Sequence, residues 1–208
     1  LAAFAHIETL KLTPGLSAAT GAARAFSRDQ KLDALQAGMK AWADGLDDDL
    51  VGKVLVVSSE DFAGHMPGRF GLTDYRAATT TLPAAVAALE ARFAAIKAGL
   101  DITLLFTLRA PEAWLKSLHW QVALHPDLTL KQKQFCARYA GAADFAAVLG
   151  PLEMALGPRA RLAVAHLEDL APRRLGPVEA IYDLVALPAD LRTSLPALAL
   201  HNRQSVDG

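Results

Sequence analysis

The sequence predicts a three-layer α/β/α domain, in which a parallel sheet is covered by helices on both faces. The first observation is three short apolar runs, each about as long as one buried strand, at residues 53–58, 102–108 and 161–166. The second is that helical patterns separate these runs, and strands separated by helices pair in parallel through right-handed crossovers. The third is size, because 208 residues that are 52% hydrophobic suit one domain over residues 1–208.

Helical periodicity accounts for most of the remaining chain. In residues 29–46 apolar side chains recur three and four positions apart, and Asp29 is a suitable N-cap. An alanine-rich helix is predicted over residues 82–98, and an amphipathic helix over residues 114–124. Residues 64–71, Gly-His-Met-Pro-Gly-Arg-Phe-Gly, are predicted to form a loop. Further helices are predicted over residues 17–26, 129–139, 142–156 and 177–186.

Composition excludes several classes of function. The net charge is −1, from 21 basic and 22 acidic residues, so no basic surplus favours nucleic-acid or membrane-surface binding. No apolar run reaches the roughly 18 residues of a membrane span. The only cysteine, Cys136, excludes an internal disulfide and a cysteine-cluster metal site, and its helical context indicates a packed small hydrophobe. The acidic residues 47–49 are interpreted as a solvated loop rather than a metal site. We therefore expect a cytoplasmic protein without a metal.

The junction between the second strand and the next helix carries the most informative residues. Arg109 follows the strand, Pro111 suits a first helical turn, and Ser117 lies within the helix. Arg109 is thus expected at the carboxyl end of a buried strand, the sheet edge at which α/β proteins bind ligands. A guanidinium offers a planar fork of donors to a phosphate, and a hydroxyl offers one more. The alternative is an arginine at a strand edge and a serine on a solvated helix face.

Four segments, in this order along residues 54–205, resemble the bacterial sulfotransferases of the P-loop-like class. They are Ser58-Ser59-Glu60, then Arg109-Ala110-Pro111 with Trp114 and Ser117, then His166-Leu167-Glu168-Asp169-Leu170, and finally Asn202-Arg203-Gln204-Ser205. The resemblance implies a P-loop NTPase-like fold. It also implies transfer of a sulfuryl group from 3′-phosphoadenosine-5′-phosphosulfate (PAPS) to a hydroxyl or amine of a carbohydrate or small metabolite, without a metal.

One segment of that family's pattern is missing from the chain. The 5′-phosphosulfate loop, Lys-[Ser/Thr]-Gly-Thr-Thr after the first strand, would cradle the cofactor with its backbone N–H groups and lysine. Residues 17–21, Ser-Ala-Ala-Thr-Gly, have no strand before them and no lysine. Because the chain begins at Leu1, we expect the loop to lie upstream. The alternatives are an inactive nucleotide-binding or protein-interaction relative and a kinase-like enzyme, the latter weakened because no GxxxxGK[ST] segment is present.

Two side chains are candidates for the base that takes the acceptor's proton. Glu60 comes just past the first predicted strand, where a carboxylate can reach an acceptor hydroxyl. Its alternatives are to cap a helix or to pair with Arg69. His65, in the predicted loop, is the second candidate base, with Arg69 as an acceptor or sulfate contact. Asp61 is expected to be a structural cap.

The cofactor's 3′-phosphate is assigned by the resemblance to Arg109 and Ser117. Arg203, in the polar tail, would close over the same phosphate, and a disordered tail is the alternative. Glu168 and Asp169 are expected to hold the loop and the following helix rather than to take part in chemistry. The remaining histidines and tryptophans considered are predicted mainly to pack: His119, His166, Trp42, Trp114 and Trp120. The alternatives are a position lining a cleft for His119 and a position near the site for His166.

Overall fold

A computed structural model of the chain describes residues 15–124 and 129–197. These residues form a mixed α/β structure that is mostly helical and has a two-stranded parallel sheet. The helices and strands are α1 (Leu16–Asp29), α2 (Leu32–Asp44), α3 (Ala78–Ala95), β1 (Thr103–Leu108), α4 (Pro111–Ala123), α5 (Gln132–Arg138), α6 (Ala146–Leu156), β2 (Arg161–His166), α7 (Leu167–Leu170), α8 (Glu179–Leu184) and α9 (Ala189–Ser194). Short 3-10 helices occur at Asp48–Leu50, Glu60–Ala63, Ala140–Ala143, Gly157–Arg159 and Gly176–Val178.

The described residues divide into two compact units. The first takes in the residues up to Leu104 together with Pro111–Leu162, and the second takes in Leu105–Ala110 and the residues from Ala163 onward. The single domain expected from the sequence therefore stays a prediction. Within residues 15–124 and 129–197, no helix is both long enough and apolar enough to cross a membrane.

In the first unit, α1 packs on α2 and α2 packs on α3. The large buried side chains of α2 are Leu35, Met39 and Trp42, at the spacings of three and four that predicted the helix. Its start was predicted wrongly, because Asp29 belongs to α1. The chain turns one residue later, where Gln30 adopts a left-handed conformation and donates its N–H to the carbonyl of Phe26.

A second cluster of buried side chains joins α4 to α5. Pro111 begins α4, as its missing N–H and fixed φ favour, and Leu115, Leu118 and Val122 form the buried stripe. These pack with Phe135 of α5, Tyr139 and Ala143. Cys136 packs against the same cluster and is half-buried, which agrees with its interpretation as a small hydrophobe.

The first predicted strand, at residues 53–58, does not form. Val54 and Val56 are 53% and 39% exposed, and the sheet in the described part of the chain consists of β1 and β2 alone. An apolar run indicates that its side chains favour burial. A strand also needs a neighbouring strand that forms hydrogen bonds with its backbone N–H and C=O groups. The run at residues 53–58 has no such neighbour among the described residues. The described residues therefore confirm the mixed α/β class. They do not confirm the predicted three-layer arrangement.

The other two predicted strands form as β1 and β2, within one residue of their expected ends. Most of both strands belongs to the second unit. There Asp183 of α8 pairs with Arg173 at 2.8 Å and also with Arg192 of α9. Hydrogen bonds from these two guanidinium groups, Arg192 first, lower the pKa of Asp183. The helix α9 was not predicted from the sequence.

Candidate functional site

Glu60 begins a 3-10 turn, Glu60–Ala63, whose position is fixed by two hydrogen bonds. The N–H of Asp61 donates to Ser59 Oγ at 3.3 Å, so that Ser59 caps the turn. The fully buried Thr81 of α3 donates its hydroxyl to the carbonyl of Phe62 at 2.5 Å. Glu60 itself is exposed. The turn therefore holds an accessible carboxylate on an anchored backbone.

The two carboxylates of this turn have different surroundings. Asp61 accepts a hydrogen bond from Arg24 of α1 at 2.9 Å, so its role is structural, as expected, although Ser59 and not Asp61 is the cap. Glu60 acts on Tyr75: burial raises the pKa of the Tyr75 phenol, and the negative charge of Glu60 raises it further. Glu60 thus lies within electrostatic reach of the hydroxyl of the half-buried Tyr75.

The loop after the turn lies directly against α1 at Gly64. Gly64 has a φ of 91°, and a Cβ built there would lie 2.8 Å from the Cβ of Ser27. The next residue, His65, donates its backbone N–H to Ser27 Oγ at 3.1 Å. Only glycine satisfies both the left-handed backbone and this close approach. These contacts fix the position of the His65 backbone and therefore the point from which its side chain extends.

The side chain of His65 belongs to a cluster around Phe70, which we call the Phe70 cluster: Arg24, Arg28, His65, Arg69 and Phe70. The centroids of the His65 and Phe70 rings are 4.6 Å apart, and the guanidinium carbon of Arg28 lies 5.1 Å from the Phe70 centroid. Burial lowers the pKa of His65, the charges of Arg28, Arg24 and Arg69 lower it further, and Asp61 opposes them. The neutral imidazole, which can accept a proton, is therefore favoured.

In the second unit, the backbone next to Arg109 is held by the carboxylate of Glu168. The N–H of Ala110 donates to Glu168 Oε1 at 2.9 Å, and Arg109 is exposed. That hydrogen bond, the backbone N–H of Glu168 and the charges of Arg109 and His166 lower the pKa of Glu168. Glu168 thus ties the Arg-Ala-Pro segment to the Glu-Asp-Leu segment, in the holding role that the sequence predicted.

Ser117 is half-buried on α4 in the first unit. Arg109 belongs to the second unit, so the pairing of these two residues on one phosphate stays a prediction. Trp120 lies three residues after Ser117 and is 52% exposed, so its prediction as a core residue was wrong. The buried stripe of α4 runs through Leu118 and Val122, and helical geometry places Trp120 outside it.

The other histidines divide between packing and exposure. His119 packs as predicted: its Nε2 lies 3.2 Å from the carbonyl oxygen of Leu130, to which it donates, and its ring contacts Phe135. His166, predicted to pack, is exposed. It ends β2 two residues after Val164, which is also exposed, and side chains two apart lie on one face of a strand.

Several predicted features are structural or fall outside the described residues. Asp48 pairs with Arg92, and Asp49 pairs with Lys53 at 2.9 Å, which agrees with a solvated acidic loop. In the described ranges no three His, Cys, Asp or Glu side chains come together as a metal would require. Arg203 and the rest of the tail at residues 200–208 lie outside the described residues, so the role expected for Arg203 stays a prediction.

Arg24, Arg28 and Phe70 were not predicted from the sequence as members of a site. A signal existed, because Arg24 and Arg28 are four residues apart in a helical segment and so lie on one face of α1. Comparison with protein-family models, with curated proteins and with solved structures finds no match to this chain. The case for a function therefore depends on the chain's own residues.

Proposed function

We propose that the chain is a sulfotransferase domain that moves a sulfuryl group from PAPS to a hydroxyl or amine of a carbohydrate or small metabolite. The observation that carries the proposal is the order of elements around Arg109. A strand, β1, ends at Leu108, Arg109 follows at once, and α4 begins at Pro111 and contains Ser117. This is the arrangement in which the Arg-x-Pro…Ser motif binds a 3′-phosphate.

The surroundings of Arg109 support this role. Its guanidinium is exposed and can offer paired donors to a phosphate, while the adjacent peptide N–H is held by Glu168. Glu168 is therefore a positioning residue in the proposal. The P-loop NTPase-like three-layer fold and a cytoplasmic setting belong to the same proposal, the latter supported by the presence of a single cysteine.

Sulfuryl transfer requires a base and a positioned cofactor rather than covalent catalysis by the protein. The acceptor oxygen bonds to sulfur, the bond from sulfur to the 5′-phosphate oxygen breaks, and 3′-phosphoadenosine-5′-phosphate (PAP) leaves. The acceptor's proton passes to Glu60, an exposed carboxylate on a fixed turn, and His65 is the second candidate base.

An inactive relative is the second candidate function, and one observation favours it. The chain has no Lys-[Ser/Thr]-Gly-Thr-Thr segment to hold the 5′ side of PAPS. Such a relative would still bind a 3′-phosphorylated nucleotide through Arg109 and Ser117, but it would not transfer the sulfuryl group. Nucleotide binding and turnover, measured separately, distinguish the two candidates.

Replacement of Arg109 tests the nucleotide site directly. In Arg109→Ala, we expect the affinity for PAP to fall by about 1.5–3 kcal/mol, the contribution of a hydrogen bond to a charged group. Isothermal titration calorimetry measures the change. Lys133→Ala removes a positive charge from the exposed side of α5 and should leave the affinity unchanged. Equal affinity of Arg109→Ala and the unaltered protein would remove the main support for the proposal.

A further inference from the structure

The Phe70 cluster concentrates positive charge. Arg24 is matched by Asp61 at 2.9 Å, whereas no carboxylate lies within ion-pair distance of Arg28 among the residues described. Arg28 instead lies over the ring of Phe70. The charged groups that act on His65 are Arg24 and Arg28 from α1, Asp61 from the 3-10 turn, and Arg69 from the loop. Among the described residues, the guanidinium charges of Arg24, Arg28 and Arg69 and the carboxylate charge of Asp61 therefore act together on the imidazole.

Phe70, which contacts Arg28 and His65, has an unfavourable backbone conformation. Its φ is 52°, in the left-handed region that bulky residues rarely adopt, and it is 64% exposed. Two backbone hydrogen bonds, from Gly68 N–H to Leu72 O and from Leu72 N–H to Arg69 O, each 2.9 Å, fix the loop on both sides of it. Burial of the ring does not explain the strain. Strain of this kind is concentrated at ligand sites.

We propose that the Phe70 cluster binds the anionic group of an acidic acceptor, a sugar that carries a carboxylate or a sulfate ester, through Arg28 and His65. This proposal rests on the proposed function, because only a sulfotransferase would use the bound anion as its acceptor. Arg28 supplies a charge that no described carboxylate neutralises, and protonated His65 supplies a positive charge and N–H donors on both ring nitrogens. Phe70 offers an exposed ring to the apolar face of the sugar.

The electrostatics of His65 give the site a measurable response. Without ligand, burial and the charges of Arg28, Arg24 and Arg69 lower the pKa of His65, against the opposing effect of Asp61. A bound anion offsets those positive charges, so it raises the pKa of His65 and favours uptake of a proton. His65 is then a donor to the acceptor, and the base role falls to Glu60.

Nuclear magnetic resonance of the His65 ring protons tests the proposal. The pKa of His65 is measured alone and with glucuronate, glucose 6-sulfate or glucose at matched ionic strength. We expect at least one acid to raise the pKa and to bind, while glucose does neither. Arg28→Gln should weaken that binding about tenfold, as expected for a hydrogen bond to a charged group. Arg28→Lys should restore part of it.

Lys40→Gln is the matched control, because it removes an equal charge from an exposed ion pair on α2 and should change nothing at His65. The proposal would be overturned if glucose raised the pKa of His65 as much as the acids do, or if neither acid raised it. It would also be overturned if Arg28→Gln bound the acid as tightly as the unaltered protein. PAP titration of the unaltered protein separates this result from the proposed function. PAP binding with an unresponsive His65 overturns the anion site alone, whereas a responsive His65 without PAP binding supports the anion site and overturns the sulfotransferase proposal.

Discussion

At the scale of single residues, Glu60 and His65 differ in what surrounds them. Glu60 is exposed on an anchored turn, and its charge acts on the phenol of the half-buried Tyr75. His65 is half-buried among cations that favour its neutral form. In the proposed mechanism, His65 gains a proton when an anion binds and so cannot take the acceptor's proton. The carboxylate of Glu60 can take that proton. This difference favours Glu60 as the base.

Glu60→Gln tests this assignment. The variant keeps the size of the side chain but removes the proton acceptor, so we expect PAP binding to be unchanged and turnover to fall about 10²–10⁴-fold. Turnover is measured as PAP release with an acceptor that supports transfer. Asp61→Asn, at the adjacent carboxylate, is the control and should lower stability more than turnover because it breaks the pair with Arg24. Near-normal turnover by Glu60→Gln would exclude Glu60 as the base.

The sequence predicted some residues of the site and not others, for physical reasons. Glu168 could be assigned a holding role because it follows a strand, although its partner, the N–H of Ala110, lies far away in sequence. Arg28 and Phe70 were missed because their contact depends on the left-handed turn at Phe70, which no residue preference predicts. Trp120 was misplaced because it lies in a helical pattern, but its angle on α4 puts it outside the buried stripe of Leu115, Leu118 and Val122.

At the scale of elements, the turn at Glu60 depends on α3. Thr81 of α3 is fully buried, and its hydroxyl satisfies the carbonyl of Phe62. The sequence predicted α3 from its alanine content and apolar spacing, and the helix forms as Ala78–Ala95. Helices were predicted well because their hydrogen bonds are local. The strand at residues 53–58 was not, because a strand needs a partner that its own residues do not specify.

Thr81→Val tests the anchoring of the turn. Valine keeps the shape of threonine but leaves the buried carbonyl of Phe62 without its donor, so the free energy of unfolding should fall by about 1–3 kcal/mol. Chemical denaturation followed by circular dichroism measures it. Thr80→Val is the matched control, because Thr80 is half-buried and its side chain makes no hydrogen bond among the described residues. If both variants lose the same stability, the hydrogen bond does not anchor the turn.

At the scale of the whole molecule, the net charge of −1 conceals a local excess of positive charge. In the first unit, the charges of Arg24, Arg28 and Arg69 all act on His65, and no described carboxylate lies within ion-pair distance of Arg28. In the second unit, Arg109 is exposed beside a carboxylate that is already engaged with a backbone N–H. The overall composition shows no basic surplus, but it could not predict the two proposed anion sites, because these depend on which residues the fold brings together.

We propose that Arg109 binds the 3′-phosphate of the cofactor, with Ser117 as its predicted partner, and selectivity between two nucleotides tests this proposal most directly. Calorimetric titration of the protein compares PAP with 5′-AMP, which lacks the 3′-phosphate. We expect PAP to bind at least about tenfold more tightly, because the 3′-phosphate adds hydrogen bonds to a charged group. Equal affinity for the two nucleotides, or no binding of PAP, would contradict the account.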